Sequence, residues 1–273
     1  MRCYLVLLLM LCMAVIGCRG LRPFPTFGRN AASVSLPSKF ELKAGQLIFR
    51  SNFVVPGGHR LVRELTAERD DICQALSMPC SDEPITVYLF PDEQAYSDCV
   101  ALYFPGIPSR RAFFTETDTE LAVYAHWSDR VGEDLRHEVA HGYLHAVAPG
   151  LPLWLDEGLA EYFEVPRSRA GVNQAHVDLL LDLIRHNGWR PDLARLEQLT
   201  DITQMDQQSY AEAWAWAYFL LETGPAHREM LTAYLFDVRS RRGLTQPLSA
   251  RLKKHDVEPE QLLMDLLGQW KQP

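Results

Sequence analysis

Two histidines four residues apart, in His137-Glu138-Val139-Ala140-His141, are followed after fifteen intervening residues by Glu157. A helix advances about 100° per residue, so His137 and His141 leave nearly the same face one turn apart and can share one ion. Glu138 then sits beside that ion without binding it. A catalytic Zn2+ takes three protein ligands and leaves its fourth position to water; His, His and Glu form one of the known sets, which makes Glu157 the third ligand. Such an ion lowers the pKa of its water towards neutrality, Glu138 acts as the general base that removes the proton, and a carbonyl polarised by the same ion is the target. Hydrolysis of a peptide bond is the natural product of those parts.

The flanking residues must place these groups. Leu135 to Val147 contains no Pro and a single Gly, and Leu135, Val139 and Tyr143 recur at four-residue steps, which predicts a helix with one face in the core. Pro149-Gly150 ends it. A second helix opens near Pro152 with Trp154, Leu155, Leu159 and Phe163 at apolar positions, turning Glu157 towards the first helix. His145 extends the histidine row but lies about 12 Å along the axis from His137, too far to share the ion. Glu161, one turn beyond Glu157 on the same face, rivals it as a ligand but is also well placed to orient the far nitrogen of a ligand histidine, and that supporting role is assigned to it.

The segment Trp154 to Phe163 resembles the Trp-Leu-Asn-Glu-Gly stretch of the zinc aminopeptidases, with Asp156 in place of the Asn and Glu157 on the ligand position. These belong to the gluzincins, or peptidase MA-like proteins, which also include the thermolysin-like peptidases; Glu161 is similar to a supporting carboxylate of that branch. Downstream, Tyr210-Ala211-Glu212-Ala213-Trp214 resembles the aminopeptidase Tyr-Glu-Lys-Gly-Ala stretch, whose Tyr hydrogen-bonds the tetrahedral intermediate. The resemblance therefore implies that role for Tyr210; the other reading of Tyr210 is a helix-start residue packed on the core. The gap from His141 to Glu157 is about three residues shorter than in those families, which demands a tight turn at Pro149-Gly150-Leu151-Pro152. The Gly-x-Met-Glu-Asn loop that grips a free N-terminus is absent, so aminopeptidase activity is not supported. Metzincins are excluded because Leu144 and Val147 stand where their Gly and third His would fall. The resemblance covers about residues 110–225 and is greatest to a bacterial family of zincin-like proteins of unknown function.

Met1-Arg2 precedes an apolar run from Leu5 to Ile16, and Val15-Ile16-Gly17-Cys18 resembles the lipobox cleaved before a lipidated Cys. The run is shorter than the twenty or so residues needed to span a bilayer. The expectation is a lipoprotein signal peptide over residues 1–17, lipidation of Cys18, and a Pro- and Gly-containing tether over 18–37. That places the chain in the bacterial cell envelope, anchored through lipid on the extracytoplasmic side of a membrane. The formal net charge of −8 without basic clusters argues against nucleic acid and against electrostatic docking on anionic lipid, leaving the acyl anchor as the membrane contact.

Residues 38–273 suit one domain of α+β, zincin-like class: a mixed α/β lobe over about 38–148 that carries the active-site helix, and an all-helical lobe over about 149–273, with the site between them. Phe40 to Leu42 and Leu47 to Phe49 predict a hairpin, Arg60 to Leu76 a helix, Ile85 to Phe90 a strand, and Ala112 to Thr115 with Leu121 to Ala125 another hairpin. Helices are expected over roughly 153–164, 172–187, 207–222, 226–240 and 258–270. Leu121 to Ala125, the strand before the active-site helix, is the candidate edge for docking an extended peptide by β-addition, with an interior strand as the other reading. Of the six cysteines, Cys3 and Cys12 would leave with the signal and Cys18 would be lipidated, so Cys73, Cys80 and Cys99 would remain as thiols or a bridge; a Cys73–Cys80 bridge and buried free thiols are both open.

Trp214, Trp216, Tyr218 and Phe219 form a helical apolar stripe and read as core, and Arg239-Ser240-Arg241-Arg242 reads as a water-facing helix end. His126, His176, His186, His227 and His255 lack ligand spacing. Site and resemblance together imply a membrane-tethered zinc metallopeptidase acting on a peptide or protein substrate. The alternative is a catalytically silent zincin-like domain that binds peptide or envelope partners.

Overall fold

A computed structural model describes residues 34–107, 110–241 and 245–270. The expected signal peptide, the lipidation of Cys18 and most of the tether lie outside the described residues. No described helix is long and apolar enough to cross a membrane.

Five strands form one mixed sheet in the order β1-β2-β3-β5-β4. Strands β1 (Phe40–Ala44) and β2 (Leu47–Ser51) make the first hairpin, around Gly45 in the left-handed region at φ 61°. β3 (Ile85–Phe90) lies parallel to both β2 and β5 (Leu121–His126), and β4 (Ala112–Glu116) returns antiparallel along the outer side of β5. β5 is therefore an interior strand, and its candidacy as a docking edge is corrected: the edge beside it is β4. Its burial pattern gives the reason, because every residue of β5 is buried whereas β4 is progressively exposed towards Glu116.

Alternation along the central strands divides two apolar layers. Ile85, Val87, Leu89, Leu121, Val123 and Ala125 face helices α1 (Arg60–Leu76) and α3 (Val131–Val147). Tyr88, Phe90, Ala122 and Tyr124 face α2 (Glu93–Tyr103), an element absent from the sequence expectation. Only Tyr96 and Cys99 of α2 are buried, so its apolar period is faint; the cap Asp92, accepting from the Ala95 amide at 2.9 Å, was the available signal. Cys73 and Cys80 form a disulfide that closes the turn after α1, with Cα atoms 5.5 Å apart. Cys99 is a buried free thiol, pushed up to about 11 by burial.

After Val147 the described chain contains helices and no strand: α4 (Leu153–Phe163), α5 (Gln174–Asn187), the short α6 (Leu193–Leu196), α7 (Gln207–Glu222), α8 (Pro225–Arg241), α9 (Leu248–His255) and α10 (Pro259–Gln269). One hydrophobic cluster runs from the sheet face through α3 and α4 into α7, with Trp154, Trp214 and Trp216 fully buried in it. Helix α3 and the helices that follow it thus share one core.

Candidate metal centre

Helix α3 carries His137, Glu138 and His141 because its other face is tied to the sheet. Leu135, Val139 and Tyr143 are buried, the Tyr143 hydroxyl donates to the Leu65 carbonyl at 3.0 Å, and Gly142 lets the helix approach Ile85 so closely that a Cβ would stand 3.0 Å from that side chain. Arg111, just before β4, grips Asp134 in the first turn of α3 at 2.6 Å. The turn over Pro149 to Pro152 sends α4 back along α3, so early residues of α4 meet late residues of α3 and the reverse.

That geometry gathers the three predicted ligands. His137 Nε2 and His141 Nε2 are 3.2 Å apart, and Glu157 Oε2 stands 3.5 and 3.7 Å from them. A tetrahedral zinc with bonds near 2.0–2.1 Å separates its ligand atoms by about 3.3–3.4 Å, so the triangle has the right size. Its chemistry also fits. His137 Nδ1 meets Glu164 Oε2 at 3.2 Å and His141 Nδ1 meets Asp156 Oδ1 at 2.9 Å. Carboxylates only accept, so each Nδ1 carries the hydrogen and each Nε2 turns a lone pair inward. Glu157 Oε2 is buried without a hydrogen-bond partner. With both rings neutral, three acceptors converge, which is an arrangement that a cation satisfies; without a metal ion the same carboxylates raise the pKa of both rings, so a proton is the competing cation.

Glu138 lies beside the triangle, buried, on a cavity of about 900 Å3 that His137 also lines. Burial raises its pKa against the opposing pull of His137 and His141, which moves a carboxylate towards the range useful for a general base. Tyr210 stands in the first turn of α7, half-buried, where Glu157, Arg110 and His137 influence its hydroxyl; burial raises its pKa, so it remains a neutral donor. The start of α7 is held by the cap Asp206, which accepts from Ser209 N at 2.8 Å, and by the buried Glu212, which accepts from Arg195 at 2.7 Å.

The supporting role given to Glu161 is corrected. The carboxylate on His137 Nδ1 is Glu164, one turn further along, while Glu161 accepts from His176 at 2.8 Å and from Asn173 at 3.3 Å. The antiparallel course of α4 is the reason, since its C-terminal end is what reaches His137, near the start of α3. Asn173 joins the two carboxylates by donating to Glu164 at 2.9 Å, and Arg136 donates to the Glu164 carbonyl. His145 is no ligand, but its Nε2 donates to Asp156 Oδ2 at 3.0 Å and its Nδ1 to Glu116 Oε2 at 2.6 Å. Against the lowering effect of burial, these two carboxylates push the His145 pKa up to about 10, and the charged ring ties the end of β4 to the carboxylate that orients His141. Glu164, Glu116 and Arg110 were missed in the sequence, and Asp156 and His145 were named there without these roles. Asp156 and Glu164 had a visible signal, because each is an acidic residue on the helix that supplies the third ligand.

Gly158, next to Glu157, lets α4 cross α7 at backbone distance: a Cβ there would stand 2.4 Å from the Ala213 carbonyl oxygen. Gly158→Ala therefore forces the helices apart. Overpacking costs about 1–3 kcal/mol, and the gain of about 1 kcal/mol in helix propensity does not offset a clash with rigid backbone. Expected results are a lower melting temperature and weaker zinc binding, because Glu157 and Tyr210 lie on the separated helices. A variant that melts at or above the parent temperature with parental zinc affinity would remove Gly158 from the positioning of the site.

Residues 134–244 match a family described as a protein of unknown function (DUF1570). No curated protein matches the chain. Among solved structures, the M1 zinc metallopeptidase from Deinococcus radiodurans is similar at 19% identity over 85% of this chain and 51% of that one, with a TM-score of 0.47. A point mutant of that metallopeptidase is similar at 18% identity over 84% and 51%, also with a TM-score of 0.47. The chain thus spans about half the length of these structures.

Proposed function

We propose that the protein is a zinc metallopeptidase in which His137, His141 and Glu157 hold the ion and Glu138 is the general base. The observation that carries this reading is the triangle of three converging acceptors, sized for zinc, with a buried carboxylate beside it. A bound zinc would supply Lewis acidity and lower the pKa of adjacent water to about 7. The chain's own residues do the rest. Asp156 and Glu164 fix the tautomers of the two ligand histidines, Glu138 takes a proton from the attacking water, and Tyr210 donates a hydrogen bond where negative charge develops on the substrate carbonyl.

The edge of β4 runs past the centre, with the Phe114 ring 6.0 Å from that of His141, and offers an extended peptide its free backbone groups. The substrate is accordingly a peptide or protein segment in extended form. We further propose that the chain works in the bacterial cell envelope, tethered through Cys18, with no nucleic-acid partner. The test is zinc analysis of the purified protein joined to cleavage of a peptide library. One catalytic zinc with turnover is expected; zinc without turnover would favour the binding role.

Tyr210→Phe is expected to lower kcat and kcat/KM together by about a hundred- to a thousand-fold, the usual cost of removing a transition-state donor. Zinc content and melting temperature should stay near the parent values, since the ring and its packing are kept. Parental kcat, or a loss traced to lower stability, would return Tyr210 to a packing role.

A further inference from the structure

Far along the chain from the candidate catalytic centre, the fold brings His227 against two adjacent potential ligands, His255 and Asp256. His227 lies in the first turn of α8, His255 is the last residue of α9, and Asp256 follows it. Asp256 Oδ2 is 2.9 Å from His227 Nε2 and Asp256 Oδ1 is 2.9 Å from His255 Nδ1, with the two rings 5.3 Å apart. One donor atom from each residue falls within a 4.8 Å cluster. None of the three lines the cavity that holds His137 and Glu138.

The protonation pattern around His227 is informative. Thr223 Oγ1 donates its single hydrogen to the Phe219 carbonyl at 2.6 Å, so towards His227 Nδ1, 2.7 Å away, it can only accept. His227 Nδ1 therefore carries the ring hydrogen, and its Nε2 turns a lone pair at a carboxylate oxygen. Two acceptors at 2.9 Å need a cation, either a second proton on the ring or a metal ion. The rest of the cluster offers a metal ion its further ligand. His255 Nδ1 donates to Asp256 Oδ1 at 2.9 Å when no ion is bound, and its half-exposed ring can move that hydrogen to the water-facing nitrogen, which frees Nδ1 to ligate. His227 and Asp256 are each only 11% exposed, and the Phe219 ring sits 4.6 Å from that of His227, so two of the three ligand side chains are held by packing.

We propose that His227, His255 and Asp256 form a second site for a divalent transition-metal ion, of the class that includes Zn2+. Two imidazoles and one carboxylate, with an open side towards water, suit that class. An ion there joins the start of α8 to the α9–α10 corner, so its predicted consequence is stabilisation of the C-terminal helices.

The test is equilibrium dialysis of the chelator-stripped full chain against buffered zinc, with metal counted by elemental analysis and the site probed by cobalt absorption. Two ions per chain are expected for the parent protein and one for His255→Ala. Asp256→Asn should weaken the second ion by more than the about ten- to hundred-fold that loss of an outer partner costs. His137→Ala should retain one ion, the one bound by this cluster. His255→Ala changes a half-exposed side chain and keeps the fold testable if Asp256→Asn does not. A parent that binds one ion, lost in His137→Ala and kept in His255→Ala, would overturn the proposal, as would a count of two unchanged in both cluster variants. A parent count of one that is lost in His255→Ala and kept in His137→Ala would support this site while removing the catalytic one.

Discussion

Glu138→Gln is expected to keep its zinc and its melting temperature while losing turnover by about 10²- to 10⁴-fold, the contribution typical of a positioned general base. The amide preserves the shape of the side chain but cannot accept a proton. Glu138 is buried and takes no part in the hydrogen bonds that orient His137 and His141, so the ligand triangle is untouched by the change. Because the lost interaction belongs to the transition state, kcat and kcat/KM should fall together. Turnover in Glu138→Gln equal to that of the parent would sink the mechanism, whatever the metal content.

The grouping of the candidate ligands was legible in the sequence because a helix converts spacing into direction. His137 and His141 at i and i+4, and Glu157 on a following amphipathic helix, required only that the two helices pack, and their apolar residues said that they do. Helix α1 and strand β3 were legible to their end residues for a similar reason, since one has a strong apolar stripe and the other an unbroken β-forming run. What was not legible depends on direction and pairing between elements. Whether Glu161 or Glu164 supports His137 follows from α4 running antiparallel to α3, and one turn of offset exchanges the two. The place of β5 inside the sheet follows from its parallel pairing with β3, a non-local choice that the residues of β5 alone do not encode. His227 and His255 lacked ligand spacing for the same reason: a long chain segment separates them, and the packing of α8 against α9 sets their approach.

Glu157→Ala is expected to abolish stoichiometric zinc at the catalytic centre, and a graded series should separate ligand from support. Asp156→Asn and Glu164→Gln each leave three ligands in place but loosen the orientation of one histidine, which costs about ten- to a hundred-fold in affinity. Glu161→Ala should cost less than either, because that carboxylate faces His176 and Asn173 and touches His137 through neither. Glu157→Ala removes a donor atom and should exceed them all. Stability supplies an independent reading. Without metal, the surrounding carboxylates outweigh burial and raise the His137 pKa, with Glu157 3.5 Å away among the causes, so Glu157→Ala loses an attraction in the metal-free protein. With free zinc at about a hundred times the parent dissociation constant, the parent should gain about 2.7 kcal/mol and the variant nearly nothing from this centre. The melting curves of parent and variant should therefore lie closer together in chelator than in zinc. A variant destabilised equally in both states would make Glu157 a structural carboxylate, and an Glu161→Ala loss as large as that of Glu157→Ala would move the third ligand one turn along α4.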